Sequence, residues 1–223
     1  MGMTKAERLE KQKQRLREMK QYEAELHARG YVNIAGVDEV GRGPLAGPVV
    51  AAAVVLPEDF DVLGVDDSKK LSEKRREELY DVILEKAAAY GIGMAGHDVI
   101  DEINILQATK QAMRQALEEL GRKLRDKTGT GVDYVLFDAV KMENLQIPQE
   151  AVIKGDSKML SIAAASIVAK VTRDRMMAEY ARKFPGYGFE KNKGYGTKQH
   201  YQGIDRQGIC PIHRKTFLKK YFE

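Results

Sequence analysis

The chain has one cysteine, six prolines and no tryptophan in 223 residues. A single thiol, Cys210, cannot form an internal disulfide, which points to a reducing compartment. A chain of this length buries roughly 70 % of its unfolded surface and needs no such staples. Long apolar runs are also missing. The longest, Pro44 to Leu56, covers 13 residues and holds two prolines and a glycine, short of the roughly 20 that a membrane helix requires. The N-terminus is charged from Lys5 onward and lacks an apolar signal core, so a cytoplasmic location and no membrane association are expected. Met1-Gly2-Met3 is compatible with a cloning remnant.

Clustered histidines and cysteines are absent as well, which argues against zinc. Four scattered histidines, His27, His97, His200 and His213, offer no Ser-His-Asp set, so a covalent nucleophile is a poor choice. No phosphate loop of the G-x-x-x-x-G-K-[ST] type occurs. Gly41-Arg42-Gly43 fails as a dinucleotide loop: the next glycine is Gly47, Pro44 interrupts, and two acids precede it.

What the chain does have is charge, unevenly placed. Hydrophobic residues make up 43 % and charged ones 31 %, which excludes a disordered tail or fibrous repeat. The net charge of +4 divides into +3 over residues 1–30, −5 over 31–182 and +6 over 183–223. An acidic middle beside a basic C-terminal segment suits a cation site with a rim for an anionic polymer; a solvated charged surface is the plainer alternative. Tyr187, Tyr195 and Tyr201, set among the C-terminal lysines, tilt the choice toward nucleic acid.

Three regions follow: residues 1–30 as a helical appendage, 31–182 as the main domain, and 183–223 as a basic segment with two short helices. Residues 4–29 read as an exposed helix ended by Gly30. Strands are expected at 31–40 and 48–56, paired antiparallel, at 89–96 despite three glycines, at 132–137, and at 151–153. Helices are expected to open at Ser72, to run from about Ile105 to Leu124, and to span 157–182. The order suggests a mixed sheet flanked by helices.

Four acids are candidates for chemistry. Asp38 and Glu39 are adjacent in the apolar run Ile34-Ala35-Gly36-Val37-Asp38-Glu39-Val40, and a carboxylate there needs a nearby cation. A flat strand would point them to opposite faces, unless the glycines at 41 and 43 twist its end. Edge carboxylates paired with arginines are the structural alternative. Asp138 closes a strand, and Asp156 precedes a long helix, where capping is an equal possibility. Oxygen-only donors suit Mg²⁺ or Mn²⁺, and two such ions can cut a phosphodiester. Bare glycine amides can approach a 2′-hydroxyl, the group that separates RNA from DNA. Lys69 reads as a phosphate ligand or a solvated turn, Asn104 as a helix cap or a phosphate donor, and Asp174, between Arg173 and Arg175, as a structural ion pair.

Several blocks, in order, carry a specific resemblance. Gly36-Val37-Asp38-Glu39-Val40-Gly41-Arg42-Gly43-Pro44-Leu45-Ala46-Gly47-Pro48-Val49, Asp67-Ser68-Lys69-Lys70-Leu71-Ser72, Asn104-Ile105-Leu106-Gln107-Ala108-Thr109, Lys154-Gly155-Asp156, the run from Ala163 to Arg175, Lys193-Gly194-Tyr195-Gly196-Thr197 and Pro211-Ile212-His213-Arg214 resemble the type 2 ribonucleases H, the family of bacterial ribonuclease HII. The likeness covers about residues 31–217, and Arg42 favours this type over type 3, which typically carries threonine there.

The resemblance implies an α/β ribonuclease H-like fold: a five-stranded mixed sheet flanked by helices, with a helical C-terminal segment. It implies an endonuclease that cleaves RNA in RNA–DNA hybrids and incises 5′ of single ribonucleotides in duplex DNA, as in ribonucleotide excision repair, leaving 3′-hydroxyl and 5′-phosphate ends. Asp38, Glu39, Asp138 and Asp156 are then the catalytic ligands of two Mn²⁺ or Mg²⁺ ions. Gly41, Arg42, Gly43 and Tyr195 read the 2′-hydroxyl; Lys69 and Asn104 join them as substrate contacts on the residue reading above, not on the resemblance. A monomer is expected. Ala139 replaces the family's usual glycine, Asn192 a histidine and Met159 a small residue. A non-catalytic nucleic-acid-binding protein and a DNA-junction nuclease of the same fold are the alternatives.

Overall fold

The structure, a computed structural model, describes residues 3–223; Met1 and Gly2, which belong to the 1–30 region and to the remnant read from the sequence, lie outside the described residues. Chain order is α1 (Lys5–Ala28), β1 (Ile34–Val40), β2 (Val49–Val55), α2 (Glu73–Lys86), β3 (Ala89–Ala95), α3 (His97–Thr128), β4 (Tyr134–Asp138), β5 (Gln149–Val152), α4 (Leu160–Lys183), α5 (Phe189–Asn192), α6 (Lys198–Gln207) and α7 (Lys215–Phe222). The strands form one five-stranded sheet in the order β3-β2-β1-β4-β5. β1 pairs antiparallel with β2, and β2 with β3, whereas β1–β4 and β4–β5 are parallel. The sheet is mixed, as expected.

Alternation along the strands sorts the core into two layers. Ala35, Val37, Ala51, Ala53, Val135 and Phe137 face α3, while Ala52 and Val54 face α4 with Met19, Leu79 and Ile83. The glycines that weaken β3 as a strand have a packing role. A methyl at Gly91 or Gly93 would overlap the carbonyl oxygens of Ala116 or Ala112, so their absence lets α3 lie directly on the strand. Gly36 does the same on the other face, where a Cβ would meet the backbone of Ser161 and Ile162. The start of α4 is thereby drawn against β1, two residues before Asp38.

Some boundaries differ from the sequence expectation. α3 begins at His97, eight residues before the expected start. It is kinked at Asn104, whose φ of 67° breaks the helix without ending it. α4 begins at Leu160 with Met159 as its N-cap, so Asp156 does not cap it and lies instead in a separate 3₁₀ turn, Gly155–Ser157. Among the described residues the C-terminal segment carries three helices rather than two, α5 being a single turn. α1 starts at a Thr4–Glu7 capping box and buries Met19, Glu23 and Leu26.

Candidate active site

The period of the strands decides which acids meet. Asp38 lies one step beyond the Val37–Phe137 pairing of β1 and β4, so it stands beside Asp138 at adjacent strand ends. Both continue the α4-side face, and the 3₁₀ turn before α4 delivers Asp156 to the same place. Carboxylate oxygens of Asp38, Asp138 and Asp156 lie within 4.8 Å of one another. Glu39, next along β1, takes the other face and is not among the three; its Oε1 accepts from Arg42 Nη1 at 3.4 Å. The four acids nevertheless share one field. Burial and the charge of Glu39 push the Asp38 carboxyl well above the usual carboxylate range. Burial raises Glu39, with Arg42 opposing and Asp138 adding, and burial with the charge of Asp156 raises Asp138.

Each carboxylate is oriented by a defined partner. Asp38, only 5 % exposed, accepts from the Glu39 amide at 2.7 Å, and Ser166, whose hydroxyl meets that of Ser68 at 2.8 Å, opposes the upward shift of its carboxyl. Asp138 accepts from the Gly155 amide at 2.7 Å, tying the end of β4 to the turn that carries Asp156. Asp156 accepts from Lys69 Nζ at 3.3 Å. Desolvation pulls the Lys69 ammonium down, but the charge and hydrogen bond of Asp156 outweigh it and leave Lys69 above its usual value. Three buried or half-buried oxygen-donor side chains that repel one another fit a hard divalent cation better than any other common ligand.

Ala139, where glycine is usual, sits at φ 54° and donates to the Val152 carbonyl at 3.1 Å. The left-handed conformation costs an alanine about 1–2 kcal/mol, and glycine gives part of that back as unfolded-state entropy. Ala139→Gly is therefore expected to stabilise the protein by about 0.5–1 kcal/mol, read as a higher urea midpoint at unchanged slope.

Beside the carboxylates, residues 41–48 form a loop whose shape comes from two fully buried arginines. Arg214 donates to the carbonyls of Gly41 (2.6 Å), Arg42 (2.8 Å) and Gly47 (2.8 and 3.0 Å). Arg173 donates to those of Pro48 (2.9 Å), Ala46 (3.2 Å) and Lys193 (2.9 Å). Neither role was read from the sequence. The signal was available: an arginine among residues that must be buried has to find acceptors. Asp174 is ion-paired as expected, but with Lys170 at 2.8 Å and not with the flanking arginines, which point elsewhere. Gly43 faces Tyr195: a Cβ at this glycine would lie 3.5 Å from the tyrosine ring, and Tyr195 is 44 % exposed. Asn192, the departure from histidine, is buried; its amide donates to the Tyr187 carbonyl at 2.7 Å and its Oδ1 accepts from Gly194 at 2.8 Å, shaping the turn into Tyr195. Asn104 lies at the kink of α3. Its Oδ1 accepts from the Leu106 and Gln107 amides at 3.0 and 3.2 Å, the capping role, which leaves its amide hydrogens for a ligand.

A buried histidine pair supports Tyr195 from behind. The Cys210 amide donates to His213 Nδ1 at 2.9 Å, which places the His213 proton on Nε2, 3.0 Å from His200 Nε2. His200 then donates from Nδ1 to the Tyr195 carbonyl at 2.9 Å. The chain works only with both rings neutral. Burial lowers His200, and burial together with the facing His200 pushes His213 down to about 4. The unfolded chain takes up these protons near pH 6.5, so the pair's contribution is complete above that pH and is lost as pH falls toward 4. For His213 alone the loss is on the order of 3 kcal/mol. Raised carboxylates act oppositely over part of this window, so the effect is read as a difference: wild type should lose its advantage over His213→Gln as melting is followed from about pH 7 to about pH 4.5.

The model of the Ribonuclease HII family matches residues 35–222. The chain belongs to the ribonuclease HII family. It is 55 % identical over 208 residues to the ribonuclease HII of Enterococcus faecalis, covering 93 % of this chain and 78 % of that one. It is 57 % identical over 203 residues to that of Listeria innocua, covering 91 % and 74 %. A similar solved structure is the ribonuclease H2 of Pyrococcus horikoshii, at 27 % identity and a TM-score of 0.66 over 83 % of this chain and 93 % of that one. As a ribonuclease HII family member the protein is a hydrolytic, divalent-metal-dependent endoribonuclease of RNA–DNA hybrids. Nothing favours a non-catalytic binder or a DNA-junction nuclease. No described helix is long and apolar enough to cross a membrane.

Proposed function

We propose that Asp38, Asp138 and Asp156, joined by Glu39 from the neighbouring face, form the catalytic carboxylate set, and that the protein also incises duplex DNA 5′ to a single embedded ribonucleotide. The observation that carries this reading is the convergence of three carboxylates within 4.8 Å beside a glycine loop that faces an exposed tyrosine.

Two Mn²⁺ or Mg²⁺ ions, when bound there, would supply an activated water and charge neutralisation at the cleaved phosphodiester. The chain's own contribution is placement. The Glu39 amide fixes Asp38, and the Gly155 amide fixes Asp138, so these two negative charges are aimed before any ligand arrives. Lys69 holds Asp156 and adds a positive charge where a phosphate would lie. Two of the three carbonyls of Gly41-Arg42-Gly43 are tied to Arg214, so in this reading the amides of the loop remain to meet the sugar edge. Gly43 leaves the gap in front of Tyr195 open, so the ring can stack on the sugar that follows the ribonucleotide.

The test is a labelled duplex carrying one ribonucleotide, incubated with Mn²⁺ or Mg²⁺, with an all-DNA duplex and a chelated reaction as controls. The expected result is one cut 5′ to the ribonucleotide, with 3′-hydroxyl and 5′-phosphate ends, and none in either control. Cutting of the all-DNA duplex at a comparable rate would show that the 2′-hydroxyl is not read.

A further inference from the structure

The N-terminal helix carries two polar side chains that reach the segment presenting Asp156. Arg15 is the more telling. Its guanidinium forks onto Asp66, with Nε and Nη2 each 3.2 Å from a carboxylate oxygen, and the same Nη2 donates to the Ser157 carbonyl at 2.6 Å. Ser157 follows Asp156 directly. Asp66 opens the loop that ends in Lys69: it accepts from the Asp67 amide at 2.8 Å, and Asp67 accepts from the Lys69 amide at 2.9 Å. Arg15 thus grips two segments, remote in sequence, whose tips meet as the 3.3 Å Lys69–Asp156 ion pair.

Two turns further along α1, Glu23 reaches α4. Its Oε1 accepts from the Ser161 amide at 2.8 Å and from the Ser161 hydroxyl at 2.6 Å. No side chain of α4's own N-cap performs this task, so one of the orphan amides at that helix start is satisfied from another helix. Between the two contacts, Met19 is fully buried against α4-side core residues. The spacing 15, 19, 23 puts all three on one face of α1.

We propose that α1 is a positioning element for the active site, with Arg15 as the positioning residue that sets Asp156 and Lys69 in register. The inference rests on the reading of Asp156 as a metal ligand. An exposed ion pair would by itself contribute little, but a guanidinium that bridges a carboxylate and a backbone carbonyl fixes geometry as well as charge. Partners that orient metal ligands in this way typically alter metal affinity or activity about 10–100-fold when removed. The competing role is plain phosphate binding, because Arg15 also borders a cleft of about 730 Å³ between α1 and residues 64–71.

The experiment uses the full chain with Arg15→Ala, Arg15→Lys and, as a control on the same helix outside that cleft, Arg17→Ala. Incision of the single-ribonucleotide duplex gives kcat and KM at saturating Mn²⁺. The Mn²⁺ concentration giving half of the rise in melting temperature is measured without substrate. Arg15→Ala should lower kcat about tenfold, leave KM within about twofold and move the Mn²⁺ midpoint about tenfold higher. Arg15→Lys keeps the charge but cannot bridge, and it should resemble Arg15→Ala; it also carries the test if the alanine variant folds poorly. Arg17→Ala should match wild type in all three measures.

An unchanged kcat and Mn²⁺ midpoint in Arg15→Ala would overturn the proposal. So would full rescue by lysine, which would show that charge alone matters, or a rise in KM alone, which would make Arg15 a phosphate contact. A wild-type protein with no Mn²⁺-induced rise would instead mark failure of the carboxylate-site reading, a different and recognisable result.

Discussion

Asp138→Asn is expected to lower the incision rate about a thousandfold or more while hybrid binding stays within a few-fold of wild type. The substitution keeps the size of the side chain and its oxygen acceptor, so the 2.7 Å bond from the Gly155 amide can persist and the end of β4 should not move. What disappears is one charge of the three that converge. Losing a carboxylate ligand removes several kcal/mol of stabilisation at the scissile phosphate, and about 4 kcal/mol corresponds to a thousandfold. The metal-free protein should not be destabilised, because burial and the charge of Asp156 already oppose ionisation of Asp138. Single-turnover incision and fluorescence anisotropy with a labelled hybrid measure the two halves of the expectation. The Mn²⁺-induced rise in melting temperature should also shrink, since linkage scales with affinity for the folded state. Wild-type-like cleavage by this variant would remove Asp138 from the reaction.

How much of the fold and the site was legible in the sequence depends on whether the signal was local. The five strands and the long helices could be read because their apolar periods are internal to each segment; β2, Val49–Val55, is buried at every residue and reads as an unbroken apolar run. Acids at strand ends were equally visible, since a carboxylate that closes an apolar run must find a cation or a hydrogen-bond donor there. The relation between Asp38 and Glu39 was not. Strand alternation argues for separation and the glycines at 41 and 43 argue for convergence, and the arrangement keeps elements of both: Glu39 takes the other face yet still feels Asp138. The kink at Asn104 hid the first turns of α3, because an asparagine with capping geometry reads as a start. The contacts of α1 were beyond reach. Its apolar stripe is thin, and the residues that dock it, Arg15 and Glu23, look like surface charges until their partners at 66, 157 and 161 are known.

Arg214→Lys illustrates the same point at the 41–48 loop, and its effect on stability should be the largest of the conservative changes considered. The guanidinium is fully buried and makes four hydrogen bonds to the carbonyls of Gly41, Arg42 and Gly47. Two of those residues, Gly41 and Gly47, have φ of 94° and 85°, so the loop occupies a conformation that needs outside support. A lysine keeps one charge on one nitrogen and cannot span acceptors arranged around a planar fork. At least two buried carbonyls then lose their donor, at about 1–3 kcal/mol each, for a total of about 2–6 kcal/mol by urea denaturation. The surviving folded protein should also cleave less well. The loop we propose to meet the 2′-hydroxyl would sample several shapes instead of one, and kcat/KM on the single-ribonucleotide duplex should fall at least about tenfold. A lysine variant within about 1 kcal/mol of wild type would mean that Arg173, through Ala46 and Pro48, is sufficient to hold the loop.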